Sequence, residues 1–200
     1  MKFKVREKTI SLLASIVHSL YYRSIHINLQ KKIFQNPNIY AHTSLQIEDY
    51  FSIELPAENF KIIINENIRF KKYCHILLFP NAQLTIEKNV FFNNYCSINC
   101  LERIDIGENT IFGEGVKIYD HNHAYSYDKD HKLNISIADH ITSPIIIGTN
   151  CWIASNVTIL KGVTIGDNVI IGANNLIYQS IPANSIIKAK AENIIVNPQE

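Results

Sequence analysis

The chain has 200 residues, 46% of them hydrophobic, and a formal net charge of +1. That charge balance gives no reason to expect a nucleic-acid partner, and the apolar share suffices to bury one core with appendages. Cys74, Cys96, Cys100 and Cys151 lack CxxC spacing and fall in β-like segments. They read as buried thiols of a reducing cytoplasm rather than disulfides or metal ligands.

At the N-terminus, Lys2, Lys4, Arg6 and Lys8 precede an apolar stretch from Ile10 to Tyr22. Ser11, Ser15, His18 and Ser19 interrupt it, and no clear cleavage site follows. It is also shorter than the roughly 20 apolar residues a spanning helix needs, so neither a signal peptide nor a transmembrane segment is expected. Ile10, Leu13, Val17, Leu20 and Tyr21 share one helical face, which predicts an amphipathic helix over residues 2–34. Such a helix packs against the body or a neighbouring subunit, or lies on an anionic membrane surface as a peripheral contact. The expected location is cytoplasmic, extending to the inner face of the membrane. The predicted divisions are a helical segment over 1–36, a β-helical body over 37–184 and a tail over 185–200.

Asn36-Pro37-Asn38 ends the helical pattern, and β-like segments begin near Ile39. Ile64, Phe70 and Ile76 then fall six residues apart, as do Ile86, Phe92 and Ile98. The beat slips by two residues before Ile106, Phe112 and Ile118, which predicts a bulged corner near Cys100–Arg103. From Ile147 the period is sharp: Ile147, Ile153, Ile159, Ile165, Ile171 and Ile177. Small residues follow at once in Ile147-Gly148, Ile153-Ala154, Ile165-Gly166 and Ile171-Gly172. Neither a 3.6-residue nor a two-residue period produces this pattern. A chain that turns a corner every six residues does, with three short strands per coil of about 18 residues. The corner aliphatics stack inside, and the small residue sits where the bend leaves little room.

Between Ile118 and Ile147 the beat vanishes. Residues 121–143 hold His, Asp, Asn, Tyr and Lys with little apolar periodicity, which reads as a projecting loop on the binding face. After Ile177, Ile181-Pro182-Ala183-Asn184 marks the exit from the coils, and the tail is expected to fold back over the last one.

The stretch SPIIIGTNCWIASNVTILKGVTIGDNVIIGANNLIYQSIPANSII resembles the hexapeptide-repeat acyltransferase superfamily, and within it the bacterial sugar O-acetyltransferases of capsule, lipopolysaccharide and galactoside chemistry. The similarity covers roughly residues 60–195. The resemblance implies an all-β, left-handed parallel β-helix, a homotrimer with sites between adjacent subunits, acetyl-CoA as co-substrate without a required metal, and a saccharide acceptor.

Moving an acetyl group from a thioester to a sugar hydroxyl requires a base to take the hydroxyl proton. Histidine, with an unperturbed pKa of about 6.5, suits that task. In GVKIYDHNHAYS the resemblance assigns the base to His123, and His121 falls on the same face if the segment is extended. His121 is expected to shape the acceptor site, and Asp120 either to orient an imidazole or, as the favoured reading, to be a solvated turn carboxylate. By resemblance Trp152 lines the acceptor site, and it should point outward because it precedes a corner isoleucine. Asn93 matches an acceptor-holding asparagine of galactoside-type enzymes, with an ordinary turn role as the alternative. Ala154, Ser155, Gly172, Ala173 and Tyr178 match the donor groove. Gln179 and the segment 189–193 depart from the family's usual exit, and Lys188 and Lys190 either restore the missing positive charge or belong to a solvated tail.

Three other readings stand beside sugar O-acetylation. N-acetylation of an amino sugar is the nearest. Metal-dependent hydration, as in β-helical carbonic anhydrases, would recruit His121, His123 and His140 or His131, but the spacing does not match that family. A non-catalytic scaffold would account for the altered exit.

Overall fold

The structure is a computed structural model that describes residues 12–17, 20, 24 and 27–188. Ile10 and Tyr21 of the expected amphipathic face, Lys190 and the exit segment 189–193 lie outside the described residues. Residues 12–17, 20, 24 and 27–34 are helical. Leu13, Val17 and Leu20 are exposed, whereas Ile33 is fully buried and Leu29 packs against the core. Lys32 Nζ donates to the carbonyl of Ile53 at 2.5 Å. The last turns of the helix are thereby docked on the first coil. No described helix is long and apolar enough to cross a membrane.

The body is a solenoid. Coil 1 holds β1 (Ile39–Ala41), β2 (Gln46–Ile47) and β3 (Ser52–Glu54), and coil 2 holds β4 (Lys61–Ile64), β5 (Arg69–Phe70) and β6 (His75–Leu78). Coil 3 holds β7 (Gln83–Ile86), β8 (Phe91–Phe92) and β9 (Ser97–Cys100), and coil 4 holds β10 (Arg103–Ile106), β11 (Ile111–Phe112) and β12 (Lys117–Tyr119). The pair β13 (His121–Tyr127) and β14 (Leu133–Thr142) then leaves the solenoid. Coil 5 holds β15 (Ile145–Ile147), β16 (Trp152–Ile153) and β17 (Thr158–Leu160), and coil 6 holds β18 (Thr164–Ile165), β19 (Ile170–Ile171) and β20 (Leu176–Ile177). Last comes β21 (Ile186–Ile187), which pairs with β19. Equivalent strands of successive coils pair in parallel, forming three sheets of six, seven and six strands. The fold is an all-β, left-handed parallel β-helix with an N-terminal α-helix.

The six-residue beat is the register of this prism. Ile147, Ile153, Ile159, Ile165, Ile171 and Ile177 are all buried and point to its axis. Phe70, Phe92 and Phe112 stack along the same axis, with ring centroids 4.5 and 4.6 Å apart. At Gly148 and Gly166 the neighbouring coil leaves no room for a side chain: a Cβ on Gly148 would lie 2.6 Å from the carbonyl carbon of Gly166, and one on Gly166 would meet the Ala183 nitrogen closer still.

From coil 2 onward, another corner holds a residue with φ above zero. Asn67, Asn89, Asn109, Asn150, Asn168 and Asn184 occupy it with φ between 55° and 60°. Asparagine tolerates this conformation because its short side chain bonds locally. Here each carboxamide also bonds the next across coils, in a ladder from Asn67 to Asn184 with distances of 2.9–3.4 Å.

The two-residue slip is the insertion of Leu101 and Glu102 between β9 and β10. Its anchor corrects the reading of Asp120 as a solvated turn carboxylate. Asp120 is 0% exposed and accepts hydrogen bonds from the backbone N–H groups of Leu101, Glu102 and Arg103. A corner with extra residues has no coil partner for its amides, and a carboxylate beneath it satisfies them.

Residues 121–143 also differ from the expected irregular loop. They form an antiparallel β-hairpin with a register shift between His123 and Tyr125. An alternation with period two does run through Tyr125, Tyr127, Leu133 and Ile135, but those side chains face outward. A search for core-facing periodicity therefore passes over it.

Candidate active site

The chain leaves β12 at Tyr119 and enters β13 at His121, so Asp120 is the pivot between solenoid and hairpin. His121 follows the buried carboxylate and keeps only 16% of its side chain exposed. Its Nδ1 is buried and faces Asp120 Oδ1 at 3.5 Å. Burial holds the His121 imidazole below its ordinary pKa; Asp120 pulls the other way, and His140 and His123 add to the lowering. Desolvation wins because the ring has lost most of its water, while Nδ1 lies beside the carboxylate without forming a hydrogen bond to it.

His123 is exposed, and its Nδ1 lies 3.1 Å from the carbonyl oxygen of Ser136. A carbonyl oxygen only accepts, so the bond requires the proton on Nδ1 and leaves the Nε2 lone pair free. The hairpin's irregularity provides this partner. His123 pairs with His140 and Tyr125 with Ile135, so residues 136–139 bulge from β14. The Ser136 hydroxyl ties the bulge by donating to Asp139 Oδ2 and accepting from the Asp139 amide, both at 2.9 Å.

His140 completes the cluster. Its ring lies 4.8 Å from that of His123 and 5.4 Å from that of His121, centroid to centroid. Phe79, from the corner after β6, meets the same ring edge-on at 5.4 Å. Among the described residues no group of three or more His, Cys, Asp or Glu side chains is disposed to hold a metal ion. Outward from His123, Tyr125, Tyr127, Leu133 and Ile135 line an open groove of about 390 Å³.

The remaining sequence-predicted residues stand elsewhere on the chain. Trp152 lies in the seven-stranded sheet between Ile111 and Ile170 and is 54% exposed, pointing outward as expected. Phe92, Phe112, Ile153, Ile171 and Ile187 are register partners, so the residues after them form one column: Asn93, Gly113, Ala154, Gly172 and Lys188. Ser155 and Ala173 flank it on the same corner. Asn93 Oδ1 accepts from the Asn94 amide at 2.9 Å, a local turn bond. Tyr178 follows β20 on the corner from which, two coils earlier, the hairpin leaves, and it lines a shallow groove of about 230 Å³ with Gln179 and Ile187. Within one chain, then, His121 and His123 gather at one corner, while Trp152, Asn93 and most donor-groove candidates gather on another side. Sequence reasoning missed Asp120 as a buried anchor, Ser136 as the partner of His123, and Phe79; it noticed His140 only as a metal candidate. These residues meet through tertiary contacts, by hydrogen bonds of Asp120 and Ser136 and by the ring contact of Phe79 with His140.

The family described as "Bacterial transferase hexapeptide (six repeats)" matches residues 144–179, which span coils 5 and 6. This chain carries the hexapeptide-repeat acyltransferase fold. WbbJ of Escherichia coli, named for O-acetyl transfer in lipopolysaccharide biosynthesis, is 33% identical over 102 residues, 49% of this chain and 52% of WbbJ. The chain therefore spans about half the length of the curated relative it matches. Two solved structures share the hexapeptide-repeat fold, both mutants of AntD, an N-acyltransferase from Bacillus cereus. The serine-to-cysteine mutant, in complex with dTDP-4-amino-4,6-dideoxyglucose and coenzyme A, gives a TM-score of 0.59 at 19% identity over 76% of this chain and 79% of that one. The aspartate-to-asparagine mutant, with dTDP and coenzyme A, gives 0.58 at 19% identity over 76% and 80%.

Proposed function

We propose that this chain transfers an acetyl group from coenzyme A to a sugar, with His123 as general base in a ternary complex. The observation that carries the reading is the His123 Nδ1 bond to the Ser136 carbonyl, which leaves Nε2 as a proton acceptor at the mouth of a groove. As the acceptor atom bonds to the thioester carbonyl carbon, Nε2 takes its proton. The C–S bond then breaks, and the proton passes to the departing thiolate. No covalent enzyme intermediate is needed.

Ala154, Ser155, Gly172 and Ala173 offer small side chains on successive coils, suited to an extended pantetheine arm, and Lys188 adds a cation for a phosphate. Because His123 and Trp152 occupy different sides of the prism, the complete site needs two copies of the chain. A homotrimer, in which one copy's hairpin meets the seven-stranded sheet of the next, meets that need.

The comparisons divide over the acceptor atom. The likeness to WbbJ favours a hydroxyl. The likeness to AntD, an N-acyltransferase, favours an amine, and with it an amino sugar as acceptor. His123 serves either, since both acceptors lose a proton on acylation. A cytoplasmic place against the inner membrane surface is supported by the exposed Leu13, Val17 and Leu20, and pelleting with anionic liposomes tests it.

The experiment is calorimetric titration with coenzyme A, followed by thiol release from acetyl-CoA with sugars paired so that members differ only in a hydroxyl or amino group at one carbon. Saturable binding and release with one member of a pair support transfer and name the acceptor atom. Absent binding and absent release favour a non-catalytic scaffold.

A further inference from the structure

Asp120 ties together three parts of the molecule. Its carboxylate accepts from the amides of Leu101 (Oδ1, 2.8 Å), Glu102 (Oδ2, 2.8 Å) and Arg103 (Oδ2, 2.9 Å). Its own carbonyl accepts from Ser143 N at 2.9 Å, just past the end of β14, so both ends of the hairpin meet at this residue. Oδ1 also faces His121 Nδ1 at 3.5 Å.

We propose that Asp120 is a positioning residue for His123: it clamps the base of the hairpin and holds His121 with its proton on Nδ1. The proposal rests on the reading of His123 as the base. The path from the carboxylate is short. His121 packs against Asp120 on one side and His140 on the other, with Tyr119 at 6.1 Å, and His140 packs against His123 and Phe79. A neutral His121 leaves His123 without a cation two residues away, which would oppose the imidazolium formed when His123 takes a proton.

Asp120→Asn tests this with a sharp signature. The three corner amides all donate, so the carboxamide must turn its oxygen to the corner and its NH₂ to His121. His121 then accepts at Nδ1 and carries its proton on Nε2. Nitrogen-15 NMR of the imidazole rings in the full chain reads this directly. The expected result is an Nδ1–H tautomer at His121 in the wild type and an Nε2–H tautomer in the variant. With it should come a kcat lower by about 10²-fold, the cost of slight misplacement, and unchanged coenzyme A affinity. An Nε2–H tautomer in the wild type overturns the proposal, whether or not the variant folds. So does a folded variant with unaltered tautomer and turnover. Should the wild type transfer acetyl to no sugar, the proposed activity falls, while the ring spectra still decide the Asp120–His121 pairing.

Discussion

Phe79 meets His140 edge-on with ring centroids 5.4 Å apart, joining the corner after coil 2 to the second strand of the hairpin. Such a pair contributes about 0.5–1.5 kcal/mol. Phe79→Ala is expected to leave the melting temperature of the solenoid nearly unchanged, yet speed amide hydrogen exchange in residues 121–142 and lower kcat. Unchanged exchange in the hairpin would remove this contact from any role in fixing it.

His123 and Trp152 stand on different sides of one chain. His123→Gln should reduce kcat by about 10²–10⁴-fold, the range of general-base assistance. Trp152→Ala should weaken acceptor use without unfolding, because the ring is exposed. Co-expressing the two variants should then restore about a quarter of wild-type activity, the share of sites drawing both intact residues from different copies of a cyclic homo-oligomer. Mixed assemblies no more active than either parent would put both residues in one subunit's site.

His121 gives stability a pH dependence. Burial lowers its pKa in the folded chain below the value of about 6.5 expected when unfolded. The unfolded state therefore binds more protons as pH falls through that value, and folding stability declines. Above it both states are neutral and the contribution is fully present. The wild type should lose melting temperature between about pH 7 and 5, and His121→Asn should flatten that slope. Parallel curves would mean that His121 is solvated in solution.

Asn109 sits at φ 59°, bonded to Asn89 at 2.9 Å and to Asn150 at 3.0 Å. Asn109→Ala loses both side-chain bonds and strains the corner, a cost of about 2–4 kcal/mol by urea denaturation. Asn109→Gly loses the bonds without the strain and should cost less. Equal costs would show that backbone conformation is not what selects asparagine there.

Much of this protein is legible from its residues alone. A corner every six residues puts Ile147, Ile153 and their successors inside, and coil-to-coil contact admits no Cβ at Gly148; both follow from local geometry repeated along the chain. The slip before Ile106 likewise announces an inserted corner, and Trp152 before a corner isoleucine must face out. The burial of Asp120, the bulge that presents the Ser136 carbonyl to His123, and the packing of His140 between two histidines and Phe79 were decided by tertiary structure. Each joins residues 13 to 61 positions apart, through a hairpin whose apolar face turns away from the core. A repeat carries its register in sequence because every coil contacts its neighbours in the same way. The hairpin occurs once among the described residues, and its pairing is set by contacts that no period encodes.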